Sequence, residues 1–126
     1  MGQEYLIDTN VIIDYLGNRL STNGTSLIDS LSPVISIITK IELLGWYGAT
    51  SKQIARLLPF VNDASIYFLN EPIVEQTIRL RQDYKIKTPD AIIAATALVY
   101  NLKLLSRNEA DFKKVNGLIT INPNIA

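Results

Sequence analysis

The sequence predicts an α/β domain built on a parallel sheet with helices on both faces. Three observations point there. Short apolar stretches alternate with segments of helical periodicity along the chain, the pattern of strand–helix crossovers. Residues 89–100 are apolar almost all round, as a helix covered on several sides must be. With 126 residues, 48% of them apolar, the chain can bury about two-thirds of its unfolded surface, so 1–126 is expected to form a single domain.

The elements follow in order. Glu4 to Ile7 reads as a strand, and Val11, Ile12, Tyr15 and Leu16 mark a helix stopped near Gly17. Leu27, Ile28 and Leu31 share a helical stripe within 21–32. Val34 to Ile37 is a second strand, followed by a helix through Ile38, Ile41 and Leu44 that ends about Gly45 or Gly48. Ser51 to Val61 reads as a helix and Ser65 to Leu69 as a β-branched and aromatic strand. Glu71 to Tyr84 is amphipathic, with Ile73, Thr77, Leu80 and Tyr84 on one stripe. After the buried helix come a strand at Leu102 to Leu105, a short helix from Asn108, and Leu118 to Ile121.

Composition narrows the chemistry. There is no Cys and no His, which excludes disulfide scaffolds, Cys- or His-based zinc sites, and Ser-His-Asp or Cys-His nucleophile systems. Hydrolytic chemistry would rest on carboxylates, hydroxyls, Lys, Tyr or a bound ion, and carboxylates favour hard cations such as Mg2+ or Mn2+. The lack of Cys fits a cytoplasmic protein, and the opening MGQEYLIDTN has no basic run of the kind a secretory leader carries. The longest apolar run, Ala91 to Tyr100, is too short to span a bilayer. Net charge is zero, yet bases cluster: Arg79, Arg81, Lys85 and Lys87 precede Asp90, while Lys103, Arg107, Lys113 and Lys114 surround Asp111. Solvated helix faces explain such runs as readily as nucleic-acid contacts do.

The acids gain meaning from their placement. Asp8 follows the first strand, Glu42 lies about one turn into the helix after the second, and Asp111 lies in the first turn of the helix after the fourth. In a parallel α/β sheet these positions share the edge where ligands bind. Asp90 begins the buried helix after a helix–helix connection. Each acid also has a local structural explanation. Thr39-x-x-Glu42 matches a capping box, Thr88-Pro89-Asp90 a helix start, Asn108-x-x-Asp111 a related cap, and Asp8 can cap the helix from Thr9. Asp14, Asp29, Asp63, Glu71 and Glu75 read as surface or cap residues. Other carboxylate sites at sheet edges fit less well: a receiver domain needs an adjacent acid pair where Asp8 precedes Thr9-Asn10, and a haloacid-dehalogenase-type phosphatase needs Asp-x-Asp where this chain has Asp-x-Asn.

The stretches Asp8-Thr9-Asn10-Val11-Ile12-Ile13-Asp14, Ser36-Ile37-Ile38-Thr39-Lys40-Ile41-Glu42-Leu43-Leu44-Gly45, Pro89-Asp90-Ala91-Ile92-Ile93-Ala94-Ala95-Thr96-Ala97 and Ser106-Arg107-Asn108-Glu109-Ala110-Asp111-Phe112 resemble, in order, the motifs of the PIN-domain family, and more narrowly its VapC-type toxins. The resemblance implies an α/β/α sandwich with a roughly five-stranded parallel sheet. It also implies Mg2+- or Mn2+-dependent RNA hydrolysis leaving a 5′-phosphate and 3′-hydroxyl, homodimerisation, and inhibition by a cognate antitoxin whose tail occupies the active-site groove. The alternative is a PIN-like module that binds RNA or protein without cleaving.

Carried over by residue, Asp8, Glu42 and Asp90 match the family acids, with Thr9 and Asn10 as supporting polar groups. Many relatives have Asp where this chain has Asn108, and Asp111 stands one helical turn later as the expected fourth catalytic and metal-binding acid, leaving Asn108 a supporting role. Lys40, Lys85, Lys87 and Arg107 are the candidates for holding RNA by its backbone. Trp46, four residues after Glu42, is a candidate aromatic anchor at the rim, or else a core residue at a helix end.

Overall fold

The computed structural model describes residues 5–124. Glu4, assigned to the first strand from the sequence, lies outside them. Strand β1 (Tyr5–Ile7) runs into helix α1 (Thr9–Leu16) with only Asp8 between them. Helix α2 (Thr22–Asp29) leads to β2 (Val34–Ser36), α3 (Ile37–Leu44) and α4 (Ser51–Asp63). Then come β3 (Ser65–Tyr67), α5 (Glu71–Asp83) and α6 (Thr88–Val99). Strand β4 (Lys103–Leu105), the single-turn α7 (Glu109–Phe112) and β5 (Thr120–Ile121) complete the described chain.

All strand pairs are parallel. β1 pairs with β4 and β4 with β5, while β2 pairs with β3. β2 runs alongside β1, so the two ladders abut as one five-stranded layer. Strand alternation divides the core between its faces. Leu6, Val34 and Leu104 point to one side, against Ile73 and Leu80 of α5 and the alanine-rich face of α6. Ile7, Ile35 and Leu105 point to the other, against Val11 and Ile12 of α1, Ile28 of α2, Leu43 of α3, and Leu57 and Val61 of α4. This is the predicted three-layer α/β/α sandwich. Each fully buried Leu or Ile contributes roughly 1.5–3 kcal/mol by leaving water, and the run Ala91 to Ala97 is buried throughout.

Local chemistry sets the ends that matter for function. The Ser36 hydroxyl accepts from the Ile38 amide (3.0 Å), so α3 starts at Ile37, earlier than the sequence suggested. The capping-box reading of Thr39 and Glu42 is thereby overturned, because Thr39 lies inside the helix. α6 is likewise entered from Lys87, without a side-chain cap, leaving Thr88 in its first turn. It ends with Asn101 in the left-handed region (φ 56°) and the Leu102 amide donating back to the Ala97 carbonyl (2.8 Å), which turns the chain directly into β4. The C-terminal segment is strapped to α2: the Ser21 amide donates to Asn124 Oδ1 (2.9 Å), and a Cβ at Gly24 would meet the Pro123 carbonyl oxygen at 2.7 Å.

Candidate active site

The register that pairs Ile7 with Leu105 puts the next residues, Asp8 and Ser106, side by side at the C-terminal end of the sheet. There the Ser106 hydroxyl donates to Asp8 Oδ2 (2.8 Å). The Thr9 amide donates to Asp8 Oδ1 (2.8 Å), so Asp8 does cap α1, and Asn10 Nδ2 donates to Oδ2 (3.2 Å). Asn10 also accepts from the Arg107 amide (3.1 Å), tying the start of α1 to the turn after β4.

Asp8 is only 4% exposed. Burial pushes its pKa up to about 6 against the Ser106 and Thr9 hydrogen bonds that hold it down, and the charges of Asp90 and Glu42 push it further up. Asp90, in the first turn of α6, is raised too, first by burial, then by Asp111 and Glu42, with Lys87 pulling the other way. Glu42 is exposed on α3, and its Oε1 accepts from the Thr9 hydroxyl (2.6 Å). That hydroxyl is also paired with the buried Thr39 hydroxyl (3.2 Å). Asp8, Glu42 and Asp90 therefore face one open cleft of about 260 Å³, together with Thr9, Asn10, Asn108 and Arg107.

Asp111 stands apart from this cleft. Asn108 lines the cleft and donates from Nδ2 to Asp111 Oδ2 (3.1 Å), while Lys114 pairs with the other oxygen (3.7 Å). Asp111 lines an adjoining basic groove, with Lys85 and Lys87, yet remains close enough to raise Asp90. Among the described residues, no three acids form a group tight enough to hold an ion by themselves. Lys40 is half-buried on α3 and does not line the cleft.

Three polar residues take parts that the sequence did not give them. Ser106 is wholly buried and anchors both Asp8 and the Asn108 amide (3.0 Å); its place directly after a strand, in line with Asp8, was the available signal. Thr39 steadies Thr9. Asp14 corrects the expectation of a surface or cap residue: it lies inside α1 and is 4% exposed, held between Arg19 (3.5 Å) and Arg107 (3.4 Å). Trp46 also departs from the helical extrapolation, because α3 stops at Gly45. Trp46 is half-buried and lines a second, more apolar cleft with Leu16 and Leu57. Ile13 borders both clefts.

The PIN domain family matches residues 5–118. The chain is similar to a solved structure described as a toxin–antitoxin complex from Klebsiella pneumoniae, with 32% identity over 94% of this chain and 97% of that one and a TM-score of 0.76. It is similar to VapBC-1 from nontypeable Haemophilus influenzae (26% identity, 94% and 97% covered, TM-score 0.77) and to FitAcB from Neisseria gonorrhoeae (26%, 94% and 97%, 0.73). No curated protein sequence matched significantly. With a family match over nearly all the described residues and a solved relative at 32% identity, this chain belongs to the PIN-domain family and is of its VapC type.

Proposed function

We propose that this chain is a divalent-metal-dependent endoribonuclease, the toxin of a cytoplasmic toxin–antitoxin pair. One observation carries the reading: a buried carboxylate, Asp8, is held by three hydrogen-bond donors in a cleft where Asp90 and Glu42 press like charge upon it. Such crowding is costly without a cation to offset it.

The donor set fits Mg2+ or Mn2+. It is all oxygen, with no imidazole or thiolate. Mg2+ keeps much of its water shell and commonly takes only one or two carboxylates directly, which suits a cleft without a tight three-acid group. Asp8 and Asp90 would hold the ion, with Glu42 and Asp111 supporting it. When bound, the ion supplies Lewis-acid chemistry, acidifying water and offsetting charge on the phosphoryl group.

The side chains do the rest. Glu42, fixed by the Thr9 hydroxyl and open to solvent, accepts the proton as a water attacks phosphorus. The new oxygen–phosphorus bond forms as the bond to O3′ breaks, the departing oxygen takes a proton from solvent, and the products carry a 5′-phosphate and a 3′-hydroxyl. Arg107 and Lys87 flank the acids and offer positive charge to phosphate oxygens. Ser106, Thr9 and Asn10 keep Asp8 in place.

The partners follow from the neighbouring surfaces. Because the apolar cleft of Leu16, Trp46 and Leu57 meets the acid cleft at Ile13, an antitoxin segment seated there reaches the carboxylates. Exposed Ile41, Phe68 and Leu69 supply apolar surface for a homodimer. Among the described residues, no helix is long and apolar enough to cross a membrane.

The test is RNA cleavage by the purified chain with Mg2+, against the same protein in EDTA and against Asp8→Asn. Cleavage is expected only from the unaltered protein with metal; cleavage that survives EDTA or Asp8→Asn overturns the mechanism. Growth arrest on expression, relieved by the product of a short neighbouring gene, tests the toxin role.

A further inference from the structure

The connection between α5 and α6 has a charge pattern that the acid cleft does not use. Ile86 is buried at 6% exposure, while Lys85 and Lys87 on either side of it are exposed. Alternation about a buried anchor makes both lysines project outward from one short segment. Two further cations brace that segment by its backbone. Arg81 Nη1 donates to the Ile86 carbonyl (2.7 Å), and Lys114 Nζ donates to the Lys85 carbonyl (2.6 Å).

Together these residues line a groove of about 450 Å³ in which four cationic side chains face a single carboxylate, Asp111. Among the described residues, the ammonium groups of Lys85 and Lys87 have no hydrogen-bond or ion-pair partner. The groove adjoins the acid cleft, since Lys87 acts on Asp90 and Asn108 binds Asp111. On the opposite flank the balance differs: Arg107 is already paired with buried Asp14, which Arg19 shares. Uncommitted positive charge therefore lies on the α5–α6 side.

Resting on the nuclease reading, we propose that this groove is the track for the RNA strand beyond the scissile bond, with Lys85 and Lys87 each taking a backbone phosphate. Arg81 and Lys114 fix the shape of the track. Recognition there is of the sugar–phosphate chain and not of base identity, because the groove offers charge and no aromatic stacking surface.

The experiment measures binding of a fluorescent single-stranded RNA to the full-length Asp8→Asn protein in Mg2+ over a series of salt concentrations. Two phosphate contacts account for about 1.4 of the slope of log affinity against log salt. The Lys85→Ala/Lys87→Ala pair in that background should lower the slope by about that amount and weaken binding several-fold at low salt. Arg79→Ala, an exposed α5 position outside the groove, should leave the slope unchanged. Both lysines are exposed, and only the carbonyl of Lys85 serves the fold, so circular dichroism should show an intact protein. An unchanged slope in the double variant overturns the proposal, and if Arg107→Ala then lowers it, the strand runs on the other flank. Cleavage assayed separately keeps the two readings distinct. Lysine-dependent binding without any cleavage by unaltered protein retains the track and removes the nuclease. Cleavage with a lysine-independent slope does the reverse.

Discussion

The hydroxyl of Ser106 donates to the carboxylate of Asp8 at 2.8 Å across 98 positions of sequence, both residues being buried at the floor of the cleft. This hydrogen bond opposes the burial and like charge that raise the pKa of Asp8. Ser106→Ala should therefore raise the Asp8 pKa further and move the acid limb of cleavage to higher pH. It also strips the Asn108 amide of its acceptor, and the two losses should cost about 1–3 kcal/mol of stability. A pH–rate profile beside a urea titration measures both; an unmoved acid limb would leave Ser106 a purely structural residue.

Metal-free stability should depend on Asp8. Its folded pKa, about 6, lies above the ordinary 3.8, so the folded protein binds the proton more tightly than the unfolded chain. Its contribution favours folding fully below about pH 4 and is lost as pH rises through about 6. In EDTA at pH 7, Asp8→Asn should exceed the unaltered protein in stability, by an amount on the order of 3 kcal/mol if the amide is accommodated. Mg2+ should raise the melting temperature of the unaltered protein only. Identical melting curves with and without Mg2+ for both proteins would remove Asp8 from the metal site.

Asn108 and Asp111 divide a role between them that can be separated by exchange. Asp111→Asn takes away a like charge that raises Asp90, so the Asp90 pKa should fall while the Mg2+ concentration for half-maximal activity rises. Asn108→Asp puts a carboxylate in the cleft against Asp111, which should lower metal-free stability and tighten metal binding. Calorimetric titration with Mg2+ and a metal-dependence curve decide the matter. If Asp111→Asn changes neither, the site has three acids and Asp111 serves α7.

Trp46 and Tyr47, adjacent in sequence, should behave oppositely. Trp46 is packed against the cluster that includes Leu57, whereas Tyr47 is 99% exposed. Trp46→Ala should lose roughly 1–3 kcal/mol and also weaken antitoxin binding at the apolar cleft, while Tyr47→Ala should stay within about 0.5 kcal/mol. Denaturant midpoints compared with antitoxin affinity distinguish packing from contact.

Much of this arrangement is legible in the sequence for local reasons. Asp8 abuts a strand and a helix, and Asp90 sits with Pro89 at a helix start, so periodicity alone brings them to element ends. The start of α3 was misplaced because Ser36 and Thr39 are both competent caps, and the strand register that favours Ser36 is not a local property. Trp46 was put on the Glu42 face by continuing a helix that Gly45 ends. Asp14 is least legible: its ion pair with Arg107 forms only after β4 has paired with β1. Asp111 and Asn108 were identified as a pair, but the division between cleft and groove depends on side-chain directions that spacing does not encode.

The parallel pairing of β1 with β4 has a consequence for the order of synthesis. Asp8 is synthesised 98 positions before Ser106, which with Arg107 fastens it and Asn10 in place. Until then the nascent chain has neither the ladder that holds β1 nor the turn that closes the cleft. On the nuclease reading, a nascent chain that has not yet made β4 should therefore cleave no RNA, because Asp8 and Asn10 still lack the contacts that hold them.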